Sequence, residues 1–563
     1  MISRRDFMQA AGAAAMVTGL GGGLLGKAAA QGRLTQAELL RFPATGNVTL
    51  VHITDLHAQL VPIYYREPSW NLGVGEAAGL PPHLTGQRFL SHYNIAAKTP
   101  EAYALTDQDF AELAKSHGRM GGIDRIATVI KAIRAERGNR VLLLDGGDTW
   151  TNSWTSLQTK AADIVDVMNA LKPDAMTGHW EFTLGEARVE EIVKALPFPF
   201  LAQNVRDTDF EEKVFESRRS FERGGVRIAV IGQAYPYTPI ANPRWMFPKW
   251  TMGIREDDVQ KQVDEARAEG ADLVVLLSHN GFDMDRKMAG RVKGIDVILT
   301  AHTHDALPQV LSVGKTLLVA SGSHGKFVSR LDLDVRDKQI KGFSYRLIPV
   351  FADAIAPDPE VAALIARHRA PFAQDLGRVL GKTTGVLYRR GNFQGSFDDV
   401  FTDAMLEVRD AEISLSPGVR WGASLLPGQD ITFEDVTNGC AMTYPACYRM
   451  QMTGARLKEV IEDVADNIFN PDPYFQGGGD MVRVGGMGFT IDPTKAIGSR
   501  ISGMTHLKTG QPIDASRNYT VAGWASINEN TQGPPIWEVV EQFITARKVI
   551  EPRPLNAVKV VGV

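Results

Sequence analysis

Apolar runs alternate with stretches of helical spacing from residue 48 to about residue 349. Short apolar runs are typical of buried strands, whereas apolar residues three and four positions apart are typical of helices. The predicted strands cover residues 48–53, 140–144, 175–177, 200–202, 228–231, 273–277, 297–300 and 317–320. The helices predicted between them include residues 123–137, 161–171 and 259–268. Strands that alternate with helices predict a layered α/β fold.

The pattern changes at three places, and these changes divide the 563 residues into domains. Residues 62–118 carry aromatic residues, Pro and Gly but no sustained period, which predicts a long insertion that acts as a lid or docking surface. A linker helix is predicted over residues 351–380. It joins a first domain, residues 31–350, to a smaller second domain, residues 381–563, with helices predicted at 400–408 and 453–467.

The first thirty residues have the pattern of an export signal. Arg4 and Arg5 precede an Ala/Gly-rich apolar run over residues 10–25, and three alanines end at Ala30. This order is typical of a twin-arginine signal. The apolar run is too short and too rich in glycine for a membrane anchor. We therefore expect cleavage after Ala30 and a periplasmic protein.

Charge and cysteine content exclude several other classes. The formal net charge is −4, so no basic surplus points to nucleic acid or to an anionic membrane. The only cysteines are Cys440 and Cys447, and they do not form a Cys-x-x-Cys motif. In an oxidising compartment they could pair, or they could be two small core residues without a chemical role.

Asp and His side chains follow the predicted strands. Asp55 and His57 come after the first strand, and side chains two residues apart on an extended chain point the same way. Alone, such a pair also suits a helix N-cap beside an exposed histidine. Four further motifs at strand ends change this picture: Gly-Gly-Asp with Asp148, Gly-His-Trp-Glu with His179, Ser-His with His279, and His-Thr-His with His302 and His304.

These seven side chains have the chemistry of metal ligands. A mixed Asp and His set suits Mn²⁺, Fe²⁺ or Zn²⁺ better than Ca²⁺ or Mg²⁺. Seven ligands are too many for one ion but suit a pair about 3.5–4 Å apart that shares a carboxylate. Because the carboxyl ends of parallel strands meet at one edge of a sheet, the sequence predicts a two-metal site there.

The order of these motifs resembles the calcineurin-like metallophosphoesterases, and within them the 5′-nucleotidase family. The helix start at Gly121-Gly122 and the segments at residues 416–422 and 453–457 are similar to motifs of that family. The resemblance implies a four-layer α-β-β-α domain joined by a linker helix to a smaller α/β domain. It also implies one metal held by Asp55, His57 and His304, another held by His179, His279 and His302, and Asp148 between them.

One motif departs from the nucleotidases. Where they have Gly-Asn-His-Glu-Phe-Asp, this chain has Gly-His-Trp-Glu-Phe-Thr over residues 178–183. His179 can replace the Asn ligand, but Trp180 replaces the catalytic histidine and Thr183 replaces its Asp partner. Because an indole cannot act as a general acid, we expect ordinary phosphomonoesterase activity to be impaired.

The departing motif, the long insertion and the export signal resemble the SoxB family of the thiosulfate-oxidising Sox system. The resemblance implies two Mn²⁺ ions, although Zn or Fe would share these ligands. It implies a monomeric periplasmic enzyme without a membrane anchor or a nucleic-acid partner. The implied substrate is a cysteine S-sulfonate or S-thiosulfonate on the carboxyl-terminal arm of the carrier protein SoxYZ. Attack of a metal-activated hydroxide on sulfur would release sulfate.

Further residues are expected to act on the substrate. Arg420 is the candidate sulfonate contact, because its planar guanidinium suits oxyanions; the alternative is a surface salt bridge. Trp180 would shape a channel or pack behind the metals. Asn392 and Asp480 are candidate substrate-binding residues. Two other functions stay open, a 5′-nucleotidase or phosphodiesterase with an altered acid and a metal-binding scaffold without catalysis.

Overall fold

The computed structural model describes residues 34–555 and 557–563. The predicted export signal and its cleavage site lie outside these residues. Among the helices that the structure describes, none combines the length and the apolar character needed to cross a membrane.

Two sheets form the centre of the first domain. One has five strands in the order β13-β12-β1-β2-β3, and the other has six in the order β10-β11-β9-β8-β6-β5. The strands of this domain are β1 Val48–Ile53, β2 Val141–Asp145, β3 Ala175–Met176, β4 Arg206–Asp207, β5 Arg218–Arg223, β6 Val226–Gln233, β7 Trp250–Thr251, β8 Leu273–Ser278, β9 Val297–Thr300, β10 Leu311–Val313, β11 Thr316–Ala320, β12 Phe327–Arg336 and β13 Gln339–Pro349. Strands β4 and β7 pair with each other in a separate two-stranded sheet. Strands β1, β2 and β3 are parallel, and so are β6, β8, β9 and β11.

The two sheets pack face to face between two layers of helices. Apolar side chains from both sheets, such as Leu50, Leu144, Val275 and Leu299, form a fully buried core between them. Separate clusters join the outer face of each sheet to helices. The α-helices of this domain are Gln36–Leu40, Gly86–Tyr93, Pro100–Leu105, Phe110–His117, Ile123–Arg137, Trp154–Thr159, Ala162–Leu171, Glu186–Ala195, Thr238–Ala241, Glu256–Ala268 and Phe282–Arg291. The arrangement is the predicted α-β-β-α sandwich.

The second part of the chain has its own sheets and cores. Its strands are β14 Val379–Thr383, β15 Ile413–Gly418, β16 Asp430–Thr432, β17 Tyr448–Thr453, β18 Asp480–Gly485, β19 Met487–Ile491, β20 Ile501–His506, β21 Asn518–Gly523, β22 Val549–Ile550 and β23 Val558–Val560. They form sheets in the orders β16-β14-β22, β17-β21-β15-β18 and β20-β19-β23. The helices are Pro359–Arg369 and Ala373–Leu376 in the connecting segment, then Ser396–Val408, Phe433–Thr437, Gly454–Ile468 and Ile536–Arg547.

Some predicted elements differ from the structure. Residues 200–202 make only isolated bridges, because Leu201 bonds to Met176 and Ala202 to Glu216, so no continuous ladder forms. The insertion at residues 62–118, predicted without periodic structure, contains three short helices. In place of one linker helix over residues 351–380, the structure has a helix over Pro359–Arg369, a 3₁₀ turn over Ala370–Phe372 and a short helix over Ala373–Leu376.

A buried lysine fastens the start of the insertion to the first domain. The side chain of Lys326 is 1% exposed and forms an ion pair with Glu67. Its ammonium also donates hydrogen bonds to the carbonyl oxygens of Tyr65, at 3.2 Å, and Ala104, at 3.0 Å. These contacts satisfy a buried charge that would otherwise be unfavourable. They hold residues 65–67 against the first domain.

We expect Lys326→Met to lower the free energy of unfolding by about 3–5 kcal/mol, because it leaves the Glu67 carboxylate buried and unpaired. Urea unfolding followed by fluorescence measures the change. Lys341→Met is the matched control at an exposed lysine and should change stability by less than about 0.5 kcal/mol. Equal effects of the two substitutions would contradict the anchoring role of Lys326.

Candidate metal centre

The seven predicted ligands lie together where the carboxyl ends of both sheets meet. Asp55 and His57 follow β1, Asp148 follows β2 and His179 follows β3, while His279 follows β8 and His302 and His304 follow β9. All seven side chains are buried. Their ligand atoms form two groups, each within 4.8 Å: Asp55, His57, Asp148 and His304, and Asp148, His179, His279 and His302. Asp148 belongs to both groups.

The backbone of these loops holds the ligands in an unusual conformation. Five of the seven have a positive φ: Asp55 (50°), His57 (49°), Asp148 (55°), His302 (74°) and His304 (60°). This left-handed region is uncommon for residues other than glycine. Hydrogen bonds from Asp55 N to Gly147 O and from His57 N to Asp148 O, both 2.8 Å, join the β1 and β2 loops. Backbone strain that recurs at convergent polar side chains is typical of a functional site.

The side chains approach each other closely. His57 Nε2 lies 3.0 Å from His304 Nε2, which is 3.3 Å from Asp55 Oδ1. In the second group, His279 Nε2 and His179 Nδ1 lie 3.2 and 3.3 Å from Asp148 Oδ2. The ligand atoms of each group therefore face a common point.

Buried ring nitrogens that lack a hydrogen-bond partner indicate whether metal ions fit this arrangement. His179 Nε2 and both ring nitrogens of His302 are buried without a hydrogen-bond partner among the described residues. Buried polar atoms are rarely left unpaired in native proteins. Five imidazoles and two carboxylates match the ligand preferences of Mn²⁺, Fe²⁺ and Zn²⁺. The residues present therefore fit a pair of divalent transition-metal ions.

Hydrogen bonds behind the ligands fix their orientation. The buried Glu181 carboxylate accepts the backbone N–H groups of His179 and Thr149, both at 2.7 Å, and of Asp148 at 3.3 Å. It thus ties the β2 loop to the β3 loop. His279 Nδ1 donates to Gly146 O at 2.6 Å, which directs Nε2 toward the carboxylates. Sequence reasoning assigned no role to Glu181, although its position two residues after His179 was a signal.

Burial and charge shift the pKa values of the ligands. Burial disfavours protonation of His279, but the Asp148 carboxylate outweighs this effect and raises the pKa of His279 to about 10. Burial raises the pKa of Asp55 to about 7. Burial lowers the pKa of His57 to about 4. The metal-free centre therefore holds protons at neutral pH that a metal ion would displace.

Trp180 contacts both halves of the protein. Its backbone N–H donates to Asp148 Oδ1 at 2.8 Å. Its indole lies 4.9 Å from the Trp421 ring in an edge arrangement and 6.0 Å from the Tyr444 ring in a stacked one. These three aromatic residues line a cavity of about 190 Å³ that opens beside Asp148 and His304. The side chain thus forms a wall of the cavity and packs against the second domain.

Arg420 also lines this cavity, but two of its donors are used within the protein. Nη1 donates to His302 O at 2.9 Å, and Nη2 donates to Gly479 O at 2.7 Å. Arg420 therefore links the second domain to the candidate ligand His302, and we call these two hydrogen bonds the Arg420 clasp. Its Nε, which lies 3.6 Å from Asp480 Oδ1, lacks a hydrogen-bond partner among the described residues.

Asp480 lies on the cavity wall, and Asn392 lies behind it. Asn392 Oδ1 accepts the Leu72 N–H at 2.5 Å, and Nδ2 lies 3.3 Å from Asp480 Oδ1. Asp480 Oδ2 pairs with Arg483 at 3.3 Å. Both side chains are buried in contacts that order the cavity wall.

Two residues near the centre were missed by sequence reasoning. Tyr235 stacks on His302 with ring centroids 4.0 Å apart. His324 stacks on Tyr65 at 4.2 Å, and its ring lies 5.4 Å from that of His57. Tyr235 comes two residues after β6, a strand-end position that was a signal, whereas His324 lies in the loop between β11 and β12 without a recognisable motif.

Comparisons with known proteins agree with this architecture. The family described as "5′-nucleotidase, C-terminal domain" matches residues 379–539, and the twin-arginine translocation signal sequence matches residues 1–21. The signal directs export to the periplasm by the twin-arginine route, as predicted. Human 5′-nucleotidase is 24% identical over 444 residues, which cover 70% of this chain and 74% of that protein.

Solved structures are similar over nearly the whole chain. The sulfate thiohydrolase SoxB of Thermus thermophilus, solved with glycerol, is 36% identical with a TM-score of 0.90, and the match covers 93% of this chain and 98% of that one. A 5′-nucleotidase precursor from Thermus thermophilus is 21% identical with a TM-score of 0.72, covering 92% and 100%. The second likeness shows the fold, and the first also shows the family.

We expect Mn²⁺ binding at pH 7 to release about one proton or more. In the metal-free protein His279 is protonated, and Asp55 is protonated in a fraction of the molecules. Because the pKa of His279 is raised to about 10, Mn²⁺ affinity should increase as the pH rises from 6 to 9. Calorimetric titration in buffers with different ionisation enthalpies measures the protons released. Binding heat independent of buffer, with pH-independent affinity, would contradict this reading.

We expect His179→Ala to lower bound Mn²⁺ from about two ions to about one per chain, because the Asp55, His57 and His304 group stays intact. The hydrolytic activity should fall by at least about a hundredfold. Substitution of residues that only support metal ligands already costs typically 10–100-fold in metal affinity or activity. Metal analysis after desalting measures the occupancy, and circular dichroism checks the fold. His92→Ala, at an exposed histidine, should behave like the wild type.

Proposed function

Because the chain belongs to the SoxB family of sulfate thiohydrolases, we propose that it releases sulfate from a cysteine S-sulfonate or S-thiosulfonate on the carrier protein SoxYZ. The chain is a periplasmic hydrolase of the 5′-nucleotidase superfamily with two candidate metal sites. Manganese as the metal, thiosulfate oxidation as the process and SoxYZ as the partner are parts of the proposal.

Trp180 is the main reason to propose a sulfur-containing substrate. Its indole lies in the cavity wall beside Asp148, and in the sequence Trp180 stands where the resemblance to the nucleotidases places a catalytic histidine. An alkoxide leaving group needs a proton from such a residue, but a thiolate or persulfide is a far better leaving group. A sulfur-containing substrate therefore matches a site in which that position holds an aromatic wall.

The cavity dimensions support the same choice. Its volume of about 190 Å³ lies below the roughly 300–1,000 Å³ of typical small-molecule pockets. Residues 477–479 of the second domain are glycines that cover the centre, and a Cβ on Gly478 would lie 2.1 Å from His302 Nε2. A sulfonate on a narrow extended peptide suits this space better than a nucleoside does.

The residues of this chain would divide the work of hydrolysis. When bound, two divalent ions supply an activated water nucleophile and polarise the sulfonate oxygens. The seven Asp and His ligands would hold the ions, and Asp148 belongs to both groups. Trp180, Trp421 and Tyr444 exclude bulk water and limit the width of the entrance. Arg420 places positive charge at the cavity wall, which favours an anionic substrate.

We expect the manganese-loaded protein to release sulfate from S-sulfonated SoxYZ with a kcat/KM at least about a hundredfold above that for phosphate release from AMP, a difference of about 2.7 kcal/mol in transition-state stabilisation. Ion chromatography measures sulfate, and a malachite green assay measures phosphate. Carrier with Ser in place of the arm cysteine, and Asp148→Asn enzyme, are the two blanks.

Phosphate release from AMP at a higher kcat/KM than sulfate release would favour the nucleotidase alternative. Loss of both activities in protein that holds two metal ions would favour the scaffold alternative. Metal content is therefore measured on each preparation before the assay.

A further inference from the structure

Asn152 makes a contact with the metal centre that the proposed reaction does not use. It lies in the loop after β2, and only 3% of its surface is exposed. Its amide Nδ2 is 2.9 Å from His57 Nδ1, while its Oδ1 has no hydrogen-bond partner among the described residues. Within the part of the chain that the structure describes, Asn152 is the side chain that hydrogen-bonds this ring nitrogen of His57.

The other ring nitrogen of His57 faces the ligands. His57 Nε2 is 3.0 Å from His304 Nε2, within the group that includes Asp55 and Asp148. A nitrogen that binds a metal ion must offer its lone pair, so the proton of the neutral ring must sit on Nδ1. An Nδ1–H group requires an acceptor, and an amide N–H donor at 2.9 Å would oppose that tautomer.

A half turn of the Asn152 amide removes this conflict. The oxygen and nitrogen of an amide are nearly equivalent in shape, and their assignment follows from the hydrogen bonds they make. The turn places Oδ1 where Nδ2 lies, within hydrogen-bond distance of His57 Nδ1. The second group has the same kind of support, since His279 Nδ1 donates to Gly146 O at 2.6 Å.

We propose that Asn152 is a positioning residue whose side-chain carbonyl accepts the Nδ1–H of His57 and keeps the Nε2 lone pair directed at the Asp55, Asp148 and His304 group. Such acceptors behind metal-binding histidines typically contribute 10–100-fold to metal affinity. The inference rests on the two-metal centre and is independent of the substrate, so its test uses metal binding alone.

The backbone of Asn152 permits a clean substitution. Its φ of 88° lies in the region that favours glycine. Asn152→Gly therefore removes the side chain and suits the backbone conformation at the same time. Asn152→Asp keeps an acceptor at the same position but removes the amide donor. The two variants separate acceptance of a hydrogen bond from its donation.

Mn²⁺ titration followed by the electron paramagnetic resonance signal of the free ion tests the inference. We expect Asn152→Gly to weaken one of the two Mn²⁺ sites by about 10–100-fold and to leave the other unchanged. Asn152→Asp should bind at least as tightly as the wild type. Asn94→Gly is the matched control, an exposed asparagine with φ of 53° far along the chain, and should change neither site.

Thermal melting of the metal-free variants separates positioning from folding. Asn152→Gly should melt within a few degrees of the wild type, because glycine suits φ of 88°. Wild-type affinity at both sites in Asn152→Gly would overturn the proposal. So would an Asn152→Asp variant that folds but binds as weakly as Asn152→Gly, because Asn152 would then act as a donor. The Asp variant decides the question if the Gly variant does not fold.

Discussion

The carboxylate of Asp148 is the contact on which the whole centre depends. It belongs to both candidate metal groups, lies 3.2 Å from His279, and accepts the backbone N–H of Trp180. These partners come from both sheets of the sandwich. A single buried anion thus draws together the ends of strands from both sheets, beside the His279–Gly146 hydrogen bond and the His304–Asp55 contact. The charge of Asp148 stabilises the protonated form of His279, whose pKa it raises, and a metal cation would take the place of that proton.

The architecture explains why so many polar groups can be buried in one place. Parallel strands end at the same edge of each sheet, and the core between the sheets holds those ends in register. Left-handed backbone at five ligands costs on the order of 1–3 kcal/mol each. Glu181 and the hydrogen bonds between neighbouring loops offset part of that strain. The site is therefore preassembled by the fold.

The features that could be predicted from the sequence are those set by neighbouring residues along the chain. Strands such as Val48–Ile53 and Val297–Thr300 were predicted with their observed bounds, because continuous apolar runs report burial directly. The seven ligands were found because each follows a strand. Contacts between distant segments were not predictable in this way. The bond from Arg420 to His302 spans 118 positions, and the Asn152 contact depends on a turn whose direction no periodicity encodes.

The aromatic wall shows a further limit of sequence reasoning. The chain indicated that Trp180 replaces an acid, but Trp421 and Tyr444, which pack against it, come from separate loops of the second domain. The prediction that the insertion lacks periodic structure was wrong for a related reason. Its helices are short, so their apolar positions do not repeat often enough to show a period.

The Arg420 clasp has a thermodynamic consequence. One arm of its guanidinium holds the carbonyl of His302, and the other holds the glycine segment above the same imidazole. The second domain is therefore bonded to the peptide unit of a ligand. Any ion that binds more tightly with this clasp closed must also favour the closed state, and by the same free energy. For such an ion, metal binding and closure of the clasp are linked by one coupling free energy.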